Sequence, residues 1–313
     1  MNKREAVLSL LDQDKKQVYI PAGFFIHFDK VYHQGQAAID KHLEYFRYTG
    51  MDFVKIQYEN AFPHRPEIQS PSDWANIPLY KEDFYQNQLN IVEGLVKAAK
   101  KEALVIMTLY SPFMCASSTV GREIAKQHIA EDPESVKKGM EIITESLRLF
   151  VKACIKLGVD GFYTSTQGGE TYRFEGSPLF EACIKPYELS LMEEIDQACI
   201  FNILHVCDYH GGYNDLTPFL DYPGHVVNCS LAVGSEQLSG EQVSQMFNRP
   251  FMGGIERKGT IATGTQNEVE QMVADVLSEA PDKFILGADC TLPNEVSWDN
   301  IRTAIATVHQ NKG

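Results

Sequence analysis

Long apolar runs are missing from this sequence. None approaches the ~20 residues that a membrane helix needs. The amino-terminal apolar stretch is broken by Ser9 and stops at Asp12, which is too short for a secretory signal. Basic charge is scarce too: 28 Lys and Arg face 42 Asp and Glu, leaving a formal charge of −14. Neutralising phosphates takes clustered Lys and Arg, so a polybasic nucleic-acid binder is excluded. Cysteines are few and odd in number, seven scattered mostly singly, which argues against an oxidised secreted framework. The expectation is a cytoplasmic protein with reduced thiols, free to bind metal. No linker rich in Gly, Ser or Pro divides the chain, and no tandem repeat or low-complexity block interrupts it.

What is present is an alternation of patterns. The 44% hydrophobic and 22% charged fractions are those of a globular protein. Short apolar runs at 18–24, 52–58, 104–110, 161–166, 201–206, 226–231, 250–255 and 284–288 read as strands. Several are apolar on both faces, as in a buried parallel sheet. Between them, stretches of helical period are predicted at 36–49, 88–101, 133–157, 186–198, 240–247, 266–279 and 297–309, with a weak one at 214–220. Asp132-Pro133 and Gly158 look like the start and stop of the third helix. Eight strands alternating with helices point to an α/β fold, a single (β/α)8 TIM barrel forming one domain over residues 1–313. Two doubly wound domains would each need a core and a boundary that the sequence does not show. In such a barrel the catalytic groups stand at the carboxyl ends of the strands.

The residues at those ends are Phe25 and His27, Glu59, Tyr110 and Ser111, Gln167, His205 and Cys207, Asn228 and Cys229, Glu256, and Asp289 and Cys290. His205 and Cys207 are two residues apart, so they project to one side of an extended segment. Cys290 ends the eighth strand, across the mouth from the fifth. One imidazole and two thiolates suit the tetrahedral preference of Zn²⁺. Either Glu256 or Cys229 is the candidate for a fourth position. A His-x-Cys pair also arises by chance, and buried cysteines are often plain small hydrophobes.

The other signals are weaker. Gly253-Gly254-Ile255-Glu256-Arg257-Lys258-Gly259-Thr260 sits where these barrels often bind phosphate, but turn glycines leading into a helix are the favoured reading. Asp208 and His210 are either partners behind the metal ligands or a polar loop. Glu59 is either a general acid or base or a solvated carboxylate. Tyr110 is expected to pack.

Three blocks of sequence then carry a resemblance. They are Phe251-Met252-Gly253-Gly254-Ile255 with Gly264-Thr265, the run from Phe284 through Ala288-Asp289-Cys290 to Pro293, and Asp299-Asn300-Ile301. Together with Gly50 to Glu59 and Thr108 to Phe113, the chain resembles the uroporphyrinogen decarboxylase superfamily. That resemblance implies a (β/α)8 barrel and one of two chemistries. One branch decarboxylates uroporphyrinogen without a cofactor. The other uses zinc held by a His-x-Cys…Cys pattern to transfer methyl groups from a corrinoid protein to a thiol.

His205-x-Cys207…Cys290 is similar to the second pattern. The chain departs from the first branch, because Pro21-Ala22-Gly23-Phe24-Phe25 has no arginine where the decarboxylases carry two. Their strand-two aspartate falls at Glu59, their tyrosine near Ser118, and their Gly-His-Gly at Ala288-Asp289-Cys290. The resemblance thus implies a zinc methyltransferase with a small thiol or a corrinoid protein as partner, Glu59 and Gln167 serving substrate or protons, and a homodimer as one possible assembly. The alternatives are a decarboxylase with altered contacts and a non-catalytic module that binds a corrinoid protein.

Overall fold

Residue parity divides the apolar side chains of the strands between two cores. Phe53, Leu104, Ile106, Tyr163, Phe201, Ile203, Val226, Met252 and Ile285 pack in one cluster, on the inside of a curled sheet. Their neighbours Val54, Val105, Met107, Phe162 and Val227 pack in the other, against the helices. This period-two division is what a strand covered on both faces requires. The computed structural model describes residues 2–12 and 14–310.

The sheet has seven parallel strands: β1 (Phe53–Ile56), β2 (Leu104–Tyr110), β3 (Gly161–Thr166), β4 (Ile203–Val206), β5 (Val226–Cys229), β8 (Phe251–Ile255) and β9 (Phe284–Ala288), in that order. Two short strands, β6 (Ala232–Val233) and β7 (Glu236–Gln237), form a separate antiparallel pair. The helix Lys3–Leu8 lies against β1 and β2, and Val7 and Leu10 join the inner cluster. The helix Pro133–Leu157 starts where the sequence indicated: the Asp132 side chain accepts from the Ser135 N–H, and Gly158 closes it at φ +97°.

One expected strand is not regular. Residues 18–24 contribute a single parallel bridge, Ala22 to Leu286. The segment nevertheless touches both sheet edges. Gly23 N–H donates to Leu286 O at 3.0 Å, and Asp52 N–H donates to Ala22 O at 3.0 Å. Two local features break the ladder. Pro21 has no N–H to give, and the Ala22 N–H is taken by the Asp52 carboxylate at 2.7 Å. The expected eight-stranded closed barrel is therefore seen as seven strands in a curled sheet. The weak helix at 214–220 is only a 3-10 turn, Thr217–Phe219, with Pro218 inside it. Helices Pro112–Val120 and Arg122–Glu131, after β2, had not been indicated.

Candidate metal centre

β4 delivers His205 and then Cys207; β9 delivers Cys290. β5 and β8 lie between these strands, so the curl of the sheet brings the ends of β4 and β9 together. One ligand atom each from His205, Cys207 and Cys290 lies within 4.8 Å of the others, and all three residues are buried. Cys290 Sγ is 3.4 Å from His205 Nε2 and 4.0 Å from Cys207 Sγ. The hydrogen bond between the two free thiols holds Cys207 below the usual thiol range and, with burial, pushes Cys290 well above it. A first proton leaves this pair more easily than a second.

The donor set fits a zinc ion. A nitrogen and two sulfurs converge from the carboxyl ends of two strands, and three protein ligands leave a fourth place for substrate or water. His205 Nδ1 is buried and has no hydrogen-bond partner among the described residues. The imidazole is instead held by stacking on Tyr163, centroid to centroid 5.0 Å. Tyr163 OH donates to Asn228 Oδ1 at 2.6 Å, and Asn228 Nδ2 donates to Met252 O and Ala288 O. Asn228 thus ties β5 to β3, β8 and β9 on the inside of the sheet.

Lys55 lies in the same inner layer, a residue the sequence reading passed over. Its Nζ is 4.4 Å from the Phe25 ring centroid, 4.8 Å from that of Tyr163, and 3.1 Å from Gln57 Oε1. Burial pulls its pKa down to about 7, while the charges of Cys290, Glu59 and Cys207 pull it up. The available signal was parity: Lys55 shares the inward side of its strand with Phe53.

The other sequence candidates distribute as follows. Gln167 donates from Nε2 to Cys207 Sγ at 3.4 Å. Glu59 Oε1 accepts from His27 Nδ1 at 3.2 Å, and Oε2 is 3.6 Å from His33 Nδ1. His27, Tyr110, Arg122, His210 and Gln167 line one cavity of about 270 Å³ with the triad. Glu59 lines a neighbouring cavity instead, so it reaches the triad cavity through His27. Burial, aided by Arg122 and Arg173, lowers the His210 pKa to about 4. Tyr110 lies edge-on to Tyr58 at 5.4 Å while also facing the triad cavity.

Cys229 and Glu256 are not brought into the triad. Both line a separate cavity of about 460 Å³ between the ends of β5 and β8. Burial pushes the Cys229 thiol up to about 12. Asp208 and Asp289 flank Arg257, whose Nη1 is 2.8 Å from each carboxylate. Gly254, at φ +92°, is a packing glycine: a Cβ there would meet Val276 Cγ1 at 2.5 Å.

Comparison with known proteins bears on the fold and the family. A methyltransferase from Methanosarcina mazei superposes with a TM-score of 0.72 over 99% of both chains, at 12% identity. A B12-independent methionine synthase from Shewanella sp. W3-18-1, in complex with selenomethionine, gives a TM-score of 0.53 at 12% identity, covering 93% of each chain. A putative vitamin-B12 independent methionine synthase from Listeria monocytogenes also gives 0.53 at 12% identity, over 87% of this chain and 85% of that one. At such identities the likeness concerns the fold. No curated protein matches the sequence. The family model for uroporphyrinogen decarboxylase (URO-D) matches residues 43–311, nearly the whole chain, and the protein belongs to that family.

Proposed function

We propose that this protein is a zinc-dependent methyltransferase that moves a methyl group between a corrinoid on a partner protein and a small thiol. The observation that carries the reading is the meeting of His205, Cys207 and Cys290 within 4.8 Å. The fold shared with a methyltransferase supports it. We also read the segment around Ala22 as the eighth stave of a single barrel domain.

His205, Cys207 and Cys290 would hold the zinc ion, which would supply Lewis acidity that lowers the pKa of a substrate thiol toward neutral pH. The chain's own residues do the rest. His27 faces the triad cavity and is oriented by Glu59, so it is placed to take the thiol proton. Lys55, buried against the Tyr163 ring on which His205 stacks, is placed to offset negative charge at the triad when it is protonated. The burial of the triad keeps bulk water from competing with the thiol.

Decarboxylation is the second reading, and the family name favours it. The cavity opposes it. Arg122 is the one permanently cationic side chain among its lining residues, whereas a porphyrinogen with many carboxylates needs a cation for each one buried. The cavity volume of about 270 Å³ also lies below the roughly 300–1,000 Å³ usual for drug-sized ligands.

Native mass spectrometry tests the proposal by asking for stoichiometric zinc. Cys290→Ser is expected to lose the metal and the thiol alkylation together, and uroporphyrinogen is expected to remain unconverted to coproporphyrinogen. Metal-free purified protein together with an active Cys290→Ser variant would falsify it.

A further inference from the structure

Gln167 stands between a guanidinium and a sulfur, and those neighbours leave its amide one orientation. Arg173 Nη1 is 3.1 Å from Gln167 Oε1, and Gln167 Nε2 is 3.4 Å from Cys207 Sγ. A guanidinium has donors only, so the amide oxygen must face Arg173. The amide N–H must then face the sulfur, and the sulfur must accept.

Arg173 is itself fixed. The same Nη1 is 3.1 Å from Glu170 Oε1, and Glu170 Oε2 accepts the Gly168 N–H at 2.7 Å. The two charged side chains are 1% and 0% exposed. The guanidinium lies 5.1 Å from the ring centroids of both Phe113 and Tyr172. A buried ion pair stabilises a fold no better than apolar groups of the same volume. Apolar groups, however, cannot dictate which way an amide points.

We propose that Glu170 and Arg173 form a positioning relay that locks Gln167 as a hydrogen-bond donor to the Cys207 sulfur. The proposal rests on the metal-centre reading for its chemical consequence. A donor aimed at a thiolate withdraws charge from it and steadies its position, which tunes the sulfur as a metal ligand. All three are positioning residues, acting through Cys207. This narrows the broader role, in substrate or proton handling, expected of Gln167.

Two measurements on the full-length protein test the relay. The first needs no metal: the side-chain amide protons of Gln167 are followed by NMR. One proton is expected to be shifted and protected in the native protein. Arg173→Met should erase that difference and Arg173→Lys should keep it. The second uses Co²⁺ in place of zinc and reads the thiolate-to-cobalt charge-transfer band. Gln167→Leu, which leaves the ion pair in place, should move the band to longer wavelength and weaken Co²⁺ binding roughly 10- to 100-fold. Unchanged amide protons in Arg173→Met overturn the relay, as does an unmoved band in Gln167→Leu. If the native protein binds no Co²⁺ while the amide signature behaves as expected, the metal centre fails and the relay stands.

Discussion

Arg257 grips Asp289 at two points. Its backbone N–H donates to Oδ1 at 2.9 Å and its Nη1 to Oδ2 at 2.8 Å. The same Nη1 reaches Asp208 Oδ1 at 2.8 Å. Asp208 follows Cys207 and Asp289 precedes Cys290, so one guanidinium ties together the loops that carry the two sulfur donors.

The separation of those sulfurs should therefore depend on Arg257. Arg257→Met is expected to weaken zinc binding by roughly 10- to 100-fold, the usual cost of losing a group that orients metal ligands. Arg257→Lys should recover little, because an ammonium does not reproduce the planar fork. Equilibrium dialysis against zinc checks both variants. Native affinity in Arg257→Met would show that the loops hold their spacing without the clamp.

Seven of the eight expected strands are present, because each is a short apolar run buried on both faces. The missing one turned on Pro21, which has no N–H, and on a carboxylate: Asp52, thirty positions along the chain, takes the Ala22 N–H that a regular ladder would use. The triad was readable because the barrel rule names strand ends and His205, Cys207 and Cys290 all sit there. Cys229 and Glu256 sit at strand ends too, and face another cavity. Which way an end residue points is set by local twist and loop path, which residue spacing does not encode. Arg257 and Arg173 were hidden for a different reason. Their roles exist only through partners on other loops, and no short motif records such a pairing.

Glu188 gives the stability of the protein a pH dependence. It is buried, and its Oε2 accepts from Tyr222 OH at 2.8 Å and from Thr166 Oγ1. Burial raises its pKa from 4.5 to about 7, against the lowering effect of its hydrogen bonds. Between those values the unfolded chain has lost a proton that the folded protein keeps. Stability from this group is full below 4.5 and declines as pH rises through about 7. The decline should be on the order of 3 kcal/mol. Urea denaturation from pH 4.5 to pH 8 should show the slope in the native protein and lose it in Glu188→Gln; a slope shared by both assigns it to another group.

Gly161 is a point of close approach between β3 and the chain entering β4. A Cβ there would lie 1.6 Å from Phe201 O, a backbone atom that cannot yield without moving the neighbouring chain. Gly161→Ala should cost about 3 kcal/mol or more. It should also weaken metal binding, since β3 carries Gln167 just beyond its end and β4 carries His205. Thermal denaturation and zinc dialysis together check this. A variant as stable as the native protein would mean that the two strands have room to separate there.

Glu59 should matter to catalysis without holding metal. Its carboxylate has no proton to give when ionised, so His27 Nδ1 carries the shared one. In the neutral ring that leaves Nε2 as the proton acceptor, on a residue that lines the triad cavity. Glu59→Gln replaces the acceptor with an amide that can turn either face to the imidazole, and the tautomer is no longer fixed. Methyl transfer should fall roughly 100-fold, the lower end of what a positioned acid or base contributes. Zinc content and melting temperature should stay native, because Glu59 lies outside the triad. His27→Ala should give a similar loss, and the double variant little beyond it, since both changes disable one unit. Assays of methyl transfer beside zinc analysis separate the outcomes: a rate loss that follows zinc loss would make Glu59 structural, and a native rate in Glu59→Gln would remove the pair from the mechanism.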